Sequence, residues 1–112
     1  MKRITIVGDI MCERPILHAG KQADGSYDFS PIFAQVKPMF AKSDYVIGNM
    51  EFPVGGEDLT YGDSFFVFNA PDAYAEAIKD AGIDLVSTIN NHTLDRGFEG
   101  AVRTMHTLDK LG

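Results

Sequence analysis

Three short apolar runs, each followed at once by polar residues, constrain the fold of this chain more than any other feature. The runs span Arg3 to Val7, Asp44 to Ile47 and Asp84 to Ile89 and are rich in isoleucine and valine. That composition is typical of strands buried on both faces of a parallel sheet. A fourth run, Phe65 to Phe68, is interpreted as a hairpin partner or an edge strand.

The segment between the first two runs carries the signals of one helix. Ser30-Pro31 places a capping residue before a proline, and Pro38 is expected to kink or shorten the helix because proline lacks a backbone N–H. Cys12 to Phe29 and Phe52 to Ser64 are predicted to be long loops. The apolar face of the predicted helix consists of Phe33, Val36, Met39 and Phe40.

Two further helices are predicted on either side of the last apolar run. One opens at Pro71 and ends at Gly82, and the other begins near Gly97 or Phe98 and ends at Gly112. Strands that alternate with helices predict an α/β fold class with a largely parallel sheet. The predicted buried stripes are Tyr74, Ala77, Ile78 and Ala81 in the first helix and Phe98, Ala101, Val102, Met105 and Leu108 in the second.

The length of 112 residues allows one domain at most. The last predicted helix has an apolar stripe but no strand after it, so residues 1–112 are expected to be the incomplete N-terminal portion of a single larger domain. Ten Lys and Arg against 16 Asp and Glu give a formal charge of −6, and no basic cluster is longer than Lys2-Arg3. This charge pattern argues against nucleic-acid binding.

Polar clusters follow the three strand-like runs directly, at Gly8-Asp9, Gly48 to Glu51 and Asn90 to His92. Because the carboxyl ends of parallel strands lie along one edge of a sheet, we expect these clusters to converge in a ligand crevice. Asp95 is expected to cap the third helix and, secondarily, to line the site. The expected site consists of Asp9, Glu51, Asn91 and His92, with Asn49, Asn90 and Asp95 as lining residues.

Two carboxylates, an amide and an imidazole form an accepted ligand set for a divalent metal ion, whether Mn, Fe, Zn or Mg. Without a cation the carboxylates would repel each other, and one would tend to take up a proton. A bound metal would also reverse the local charge and admit an anionic substrate. The sequence therefore predicts a divalent metal cofactor at the cluster of Asp9, Glu51, Asn91 and His92.

The remaining candidates for chemistry carry weaker signals. His18 lies in a polar loop and His106 flanks the last apolar stripe, so both are expected to be solvated. Cys12 is close to Asp9, but no adjacent histidine or CxxC pattern supports a reactive thiol, and a buried bystander is expected. The glycines do not form a dinucleotide or P-loop pattern. A self-sufficient flavodoxin-like binding domain remains an alternative at the level of the fold.

Four segments carry a resemblance to a known family. They are Ile6-Val-Gly-Asp-Ile-Met11, Ser43-Asp-Tyr-Val-Ile-Gly-Asn-Met-Glu-Phe-Pro-Val54, Phe68-Asn-Ala-Pro71 and Ala81-Gly-Ile-Asp-Leu-Val-Ser-Thr-Ile-Asn-Asn-His-Thr-Leu-Asp-Arg-Gly97. In their order and spacing the chain resembles the CapA family, bacterial capsule-synthesis proteins linked to poly-γ-glutamate production and related to calcineurin-like metallophosphoesterases. The Asn-Asn-His-x-x-Asp-x-Gly segment is the most specific part of this likeness.

The resemblance implies that the chain is the N-terminal half of a four-layer α/β/β/α metallophosphoesterase-like fold in a longer protein. Two departures stand out: Met11 replaces a histidine of the superfamily pattern, and Gly48 to Glu51 replaces Gly-Asp-x-x-Asp/Asn. By likeness, Asp9 matches the first metal ligand, Glu51 or Asn49 the bridging acid, Asn91 the second-metal asparagine, and His92 the histidine that stabilises the transition state or protonates the leaving group.

Two functional hypotheses result. The first is a metal-dependent hydrolase of capsule or poly-γ-glutamate biosynthesis with His92 as its catalytic acid, inactive as residues 1–112 alone. The second is a non-catalytic subunit for polymer binding or assembly. The expected partners are an anionic polymer or a phosphorylated small molecule, the capsule-synthesis machinery, and a second copy joined through the incomplete sheet. The sequence does not determine the compartment. The two alternatives are the bacterial cytoplasm and, if an anchor precedes Met1, the cell envelope.

Overall fold

Three parallel strands form one sheet in the order β1-β2-β3 in the computed structural model, which describes residues 1–61 and 66–112. β1 spans Ile4–Ile10, β2 spans Tyr45–Met50 and β3 spans Leu85–Ser87. Each strand overlaps one of the three apolar runs, so the predicted α/β class with a parallel sheet is confirmed. The arrangement is consistent with part of a metallophosphoesterase-like fold.

Five helices connect and flank the described strands. The helix predicted at Ser30-Pro31 is broken in two, because Pro38 lies in the first turn of a separate short helix. The helix that follows Pro71 ends before Gly82, whose φ of 99° is the left-handed conformation expected there. The bounds are α1 Arg14–Gly20, α2 Ser30–Phe33, α3 Lys37–Phe40, α4 Asp72–Asp80 and α5 Gly97–Leu111, with a single 3-10 turn at Glu57–Leu59.

Helix α1 corrects the prediction that Cys12 to Phe29 is a loop. It is only 7 residues long, begins with a proline in its first turn, and has no side-chain cap. A helix this short has little propensity of its own, and burial of Leu17 and Gly20 against the core stabilises it instead. The sequence signal was correspondingly weak.

Residues Phe66 to Phe68 correct a second prediction, because they do not form a strand. Phe65, the first residue of that predicted hairpin or edge strand, lies outside the described residues. Backbone hydrogen bonds instead hold the next residues against the chain after β2: Ala70 N–H donates to Pro53 O, and Gly56 N–H donates to Ala70 O.

The described residues cover only one face of the sheet. This finding corrects the prediction that the strands are buried on both faces. Val46 and Met50 of β2 are each 1% exposed and join the core. Ile6 of β1 lies on the opposite face and is 75% exposed, and Ile4 and Leu85 are exposed as well. The face that carries Ile4, Ile6 and Leu85 is called the open face below.

Helix α5 turns only part of its predicted apolar stripe to the core: Leu108 packs there, but two other members do not. Phe98 is 80% exposed and Met105 is 60% exposed, whereas Gly100 and Thr104 are buried. Polar contacts set this rotation, since the Thr104 hydroxyl accepts the Val54 N–H at 2.8 Å. Periodicity could not show this, because glycine and threonine add little to a hydrophobic stripe.

Tyr74 of α4 lies at the centre of the core and reaches the chain just beyond β1. Its ring contacts those of Phe29, Phe33 and Phe52 at centroid distances of 4.8, 5.8 and 5.2 Å. Its hydroxyl donates to the Met11 carbonyl at 2.8 Å. Burial raises the pKa of this phenol well above its usual range. Helix α4 is thereby tied to the end of the first strand.

No helix in the described ranges is both long and apolar enough to cross a membrane.

Replacing Tyr74 with Phe should lower the free energy of unfolding by about 1 to 2 kcal/mol, because the partly buried Met11 carbonyl loses its donor while the ring packing stays. Denaturant titration of the protein measures this change. Tyr45→Phe is the matched control, since Tyr45 is 41% exposed, and it should leave the midpoint unchanged. Equal midpoints for the two variants would contradict the assigned role of the Tyr74 hydroxyl.

Candidate active site at the carboxyl edge of the sheet

A β-bulge in β1 places Asp9 at the carboxyl edge of the sheet. Ile6 is level with Ile47 of β2, but the next aligned pair is Asp9 with Asn49, so β1 contains one extra residue between them. Aligned residues point to the same face of a sheet. The extra residue therefore brings Asp9 to the face of Asn49, and it turns Ile10, aligned with Met50, into the core.

The Asn49 side chain lies between two carboxylates. Its Nδ2 donates to Asp9 Oδ1 at 2.9 Å and to Glu51 Oε2 at 3.0 Å. Carboxylate oxygens only accept hydrogen bonds, so the amide must turn its NH2 group toward both acids. The two predicted metal-ligating acids are thus adjacent, with a neutral donor between them.

The pKa of the Glu51 carboxyl is shifted by its surroundings. Its side chain is 15% exposed. Loss of solvation raises the pKa of the Glu51 carboxyl, the hydrogen bond and charge of Asp9 raise it further, and His92 acts in the opposite direction. The site therefore disfavours two adjacent negative charges.

Asn90 connects this acidic pair to the loop after β3. Its Nδ2 donates to Asn49 Oδ1 at 3.1 Å and to the Met50 carbonyl at 3.0 Å. Its Oδ1 accepts the His92 N–H at 3.0 Å, and its own N–H donates to Thr93 Oγ1. One asparagine thus fixes both the end of β2 and the turn that presents the histidine.

His92 is held between Asp95 and Glu51. Its Nδ1 lies 2.7 Å from Asp95 Oδ2, and its Nε2 lies 4.0 Å from Glu51 Oε1. The Phe68 ring packs on the imidazole with a centroid distance of 4.3 Å. Only 15% of the histidine side chain is exposed. The geometry directs Nε2 toward the acidic pair.

The predicted residues Asp9, Glu51 and His92 are therefore brought together, and Asn49 and Asn90 link them. Asn91 is exposed beside this group. The prediction that Asp95 caps the third helix is wrong: Arg96 is the N-cap residue of α5, and no side chain caps that helix. Asp95 instead accepts from His92, because the loop folds back on itself over three residues.

Phe68 and Thr93 were missed by sequence reasoning. Phe68 lies 24 positions before His92 in the sequence, and no local pattern relates the two. Thr93 donates through Oγ1 to the Thr88 carbonyl at 2.6 Å. Its position next to the Asn-Asn-His segment was the only available signal.

The other nucleophilic or basic candidates lie apart from these contacts. Cys12 is 1% exposed, and burial raises the pKa of its thiol to about 12, so it is a buried and unreactive side chain as predicted. His18 and His106 are exposed, as the sequence also predicted.

Comparison with known proteins places the chain in a family. The model of the family described as "Bacterial capsule synthesis protein PGA_cap" matches residues 3–112. The chain belongs to the PGA_cap family. It is 34% identical over 105 residues to "Capsule biosynthesis protein CapA" of Bacillus anthracis, a match that covers 91% of this chain and 25% of that protein. It is 30% identical over 102 residues to "PGA biosynthesis protein CapA" of Bacillus subtilis, covering 90% and 26% respectively.

The resemblance to the CapA family is thus confirmed, and the chain spans about a quarter of the length of these curated relatives. An uncharacterized protein of Sinorhizobium fredii is 28% identical over 113 residues, with 22% of its length covered. The PGA_cap match includes every segment on which the resemblance was based, from Ile6 to Gly97.

The donor types at this PGA_cap site suit a divalent cation, but their number does not complete a site. Carboxylate oxygens of Asp9 and Glu51 and the Nε2 of His92 are ligands that Mn, Fe and Zn accept. In this structure the Asn49 NH2 group donates to both acids. Within residues 1–61 and 66–112, however, no three His, Cys, Asp or Glu side chains are grouped closely enough to hold a metal.

Glu51→Gln should make the metal-free protein more stable at neutral pH and leave it nearly unchanged at acidic pH. The folded pKa of Glu51 is raised, so the folded state binds its proton more tightly than the unfolded state, and wild-type stability falls as pH rises through that folded pKa. Glutamine stays neutral and still accepts from Asn49. Thermal melts across the acidic to neutral range, with chelator present, should show a Tm gain of a few degrees.

Asp24→Asn is the control of opposite sign. Hydrogen bonds from Ser26 lower the pKa of Asp24, so wild type should become the more stable of this pair as pH rises. A Glu51→Gln curve that runs parallel to wild type at every pH would contradict the perturbed state of Glu51.

Proposed function

We propose that this chain is part of a capsule or poly-γ-glutamate biosynthesis protein that carries a metal-dependent, phosphoesterase-like hydrolase site. One observation carries the proposal: Asp9 and Glu51 lie on either side of the Asn49 amide, and His92 Nε2 faces Glu51 at 4.0 Å. The two Bacillus relatives are biosynthesis proteins by name, one of capsule and one of PGA. Membership of their family supports the pathway, and the residue chemistry supports the reaction class.

The proposed ligands are Asp9, Glu51 and Asn91, which the donor chemistry suggests and the family resemblance also implies. A divalent ion would supply a positive charge that polarises a phosphoryl or acyl oxygen and lowers the pKa of water. The described residues provide too few donors for a closed site. The proposal therefore expects further ligands from the part of the protein that corresponds to the other three-quarters of the relatives.

His92 is proposed to move the proton at Nε2. His92 Nδ1 is hydrogen-bonded to Asp95, so Nε2 is the ring nitrogen available to protonate a leaving group or to bind a metal. Phe68 covers the imidazole and keeps water from one side of it. A general acid positioned in this way contributes about a hundredfold to ten-thousandfold to a rate.

The proposed substrate is an anionic polymer or a phosphorylated small molecule. The chain has a formal charge of −6, and the site itself contains two carboxylates, so an anion would be repelled from the bare cluster. A cation held by Asp9 and Glu51 would invert that local field. Metal and anionic substrate are therefore proposed together.

The second candidate is a non-catalytic subunit that binds the polymer or assembles the capsule-synthesis machinery. Met11 favours it, because this residue stands where the phosphoesterase pattern has a histidine. Self-association through the open face also belongs to this candidate, since the exposed side chains of Ile4 and Ile6 form an apolar surface there.

Hydrolysis of p-nitrophenyl phosphate and bis(p-nitrophenyl) phosphate by the full-length protein, with and without Mn²⁺, tests the leading proposal. We expect turnover that depends on Mn²⁺, and a loss of about a hundredfold or more in His92→Gln and in Asp9→Asn. His106→Gln is the matched control, because His106 is exposed on α5 away from the site, and it should retain wild-type rates.

Two outcomes would contradict the hydrolase. The first is purified protein that contains no transition metal and shows equal rates in wild type and His92→Gln. The second is binding of poly-γ-glutamate, measured by calorimetry, without turnover of any ester at any metal concentration. The second outcome would support the binding subunit instead.

A further inference from the structure

The Asp95 carboxylate joins two parts of the site that are far apart in the chain. Its Oδ2 lies 2.7 Å from His92 Nδ1, and the same oxygen accepts the backbone N–H of Phe68 at 2.7 Å. Only 12% of the Asp95 side chain is exposed. Both contacts are at the short end of the range for charge-assisted hydrogen bonds.

These two contacts determine which proton the imidazole carries. The Phe68 N–H is a donor and cannot reverse its role, so the shared Oδ2 must act as an acceptor. His92 can then approach the same oxygen at 2.7 Å only with Nδ1 protonated. In the neutral imidazole this leaves Nε2 without a proton, facing Glu51.

The contacts also determine where the Phe68 ring lies. With its N–H bound to Asp95, Phe68 stacks on the histidine that the same carboxylate holds, at a centroid distance of 4.3 Å and an interplanar angle of 34°. Asp95, His92 and Phe68 therefore form one unit. Within it, Asp95 Oδ2 determines both the tautomer of the imidazole and the position of the Phe68 ring that stacks on it.

We propose that Asp95 is a positioning residue: it holds His92 in the Nδ1–H tautomer, with Nε2 free toward Glu51, and anchors Phe68 over the ring. The inference rests on the proposed function only in taking His92 as the proton-moving residue. The tautomer itself can be observed without metal, substrate or turnover.

The test is two-bond ¹H–¹⁵N correlation spectroscopy of the metal-free protein labelled with ¹⁵N-histidine. Spectra are recorded at alkaline pH, where the imidazole is neutral. The His92 signals are assigned by comparison with the His92→Gln variant. Wild type should show His92 as the Nδ1–H tautomer. In Asp95→Ala this preference should disappear, and hydrogen exchange of the Phe68 amide should become about tenfold faster or more, because its acceptor is gone. Asp95→Asn should restore both, since one amide oxygen can accept both N–H groups.

Asp84→Ala is the matched control, because Asp84 also accepts a backbone N–H, that of Val46 at 2.8 Å, and no contact with His92 is described for it. It should leave the His92 tautomer unchanged. An Nε2–H tautomer in wild type would overturn the inference, and this result does not depend on whether any variant folds. An unchanged His92 tautomer in folded Asp95→Ala would overturn it as well. Absence of metal or hydrolysis with the expected tautomer present would instead count against the proposed function alone.

Discussion

The extra residue in β1 is the constraint on which the rest of the site depends. In a regular parallel ladder Asp9 would be level with Met50, a residue that is 1% exposed, and its carboxylate would enter the core. Burying an unpaired carboxylate costs several kcal/mol or forces it to take up a proton. The bulge avoids this by turning Ile10 inward and Asp9 toward Asn49, and bulges are frequent beside active sites for this reason. The bulge thus places Ile10 in the core and Asp9 in the site.

Hydrogen bonding then builds the site outward from Asn49. The amide donates to Asp9 and Glu51 and accepts from Asn90, which in turn orders the loop that carries His92. A chain of asparagine side chains is well suited to this, because each amide has both donors and an acceptor. The amide holds the two acids close together, and loss of solvation, followed by the hydrogen bond and charge of Asp9, raises the pKa of Glu51.

Much of the fold followed from local patterns. The β-branched runs predicted all three strands of the described sheet, Pro38 predicted the broken helix, and Gly82 predicted the end of α4, because each of these effects acts within a few residues. Parallel strand direction predicted that Asp9, Glu51 and His92 would lie at one edge of the sheet, but not that a bulge would bring Asp9 to the face of Asn49. The short helix α1, the rotation of α5 and the exposure of Ile6 did not follow, since each depends on what packs against the element.

The sequence by itself determined the positions of the three strands and of the helices α2 to α5, the family, and the residue types that gather at the carboxyl edge of the sheet, because periodicity and strand-end position are properties of the chain. Only the tertiary structure decided which atoms meet. Asp95 became the partner of His92 and Phe68 rather than a helix cap, and Asn49 became the bridge between two acids. Those outcomes depend on a register shift in β1 and on distances of 2.7 to 3.0 Å across residues up to 40 positions apart, which no local pattern encodes.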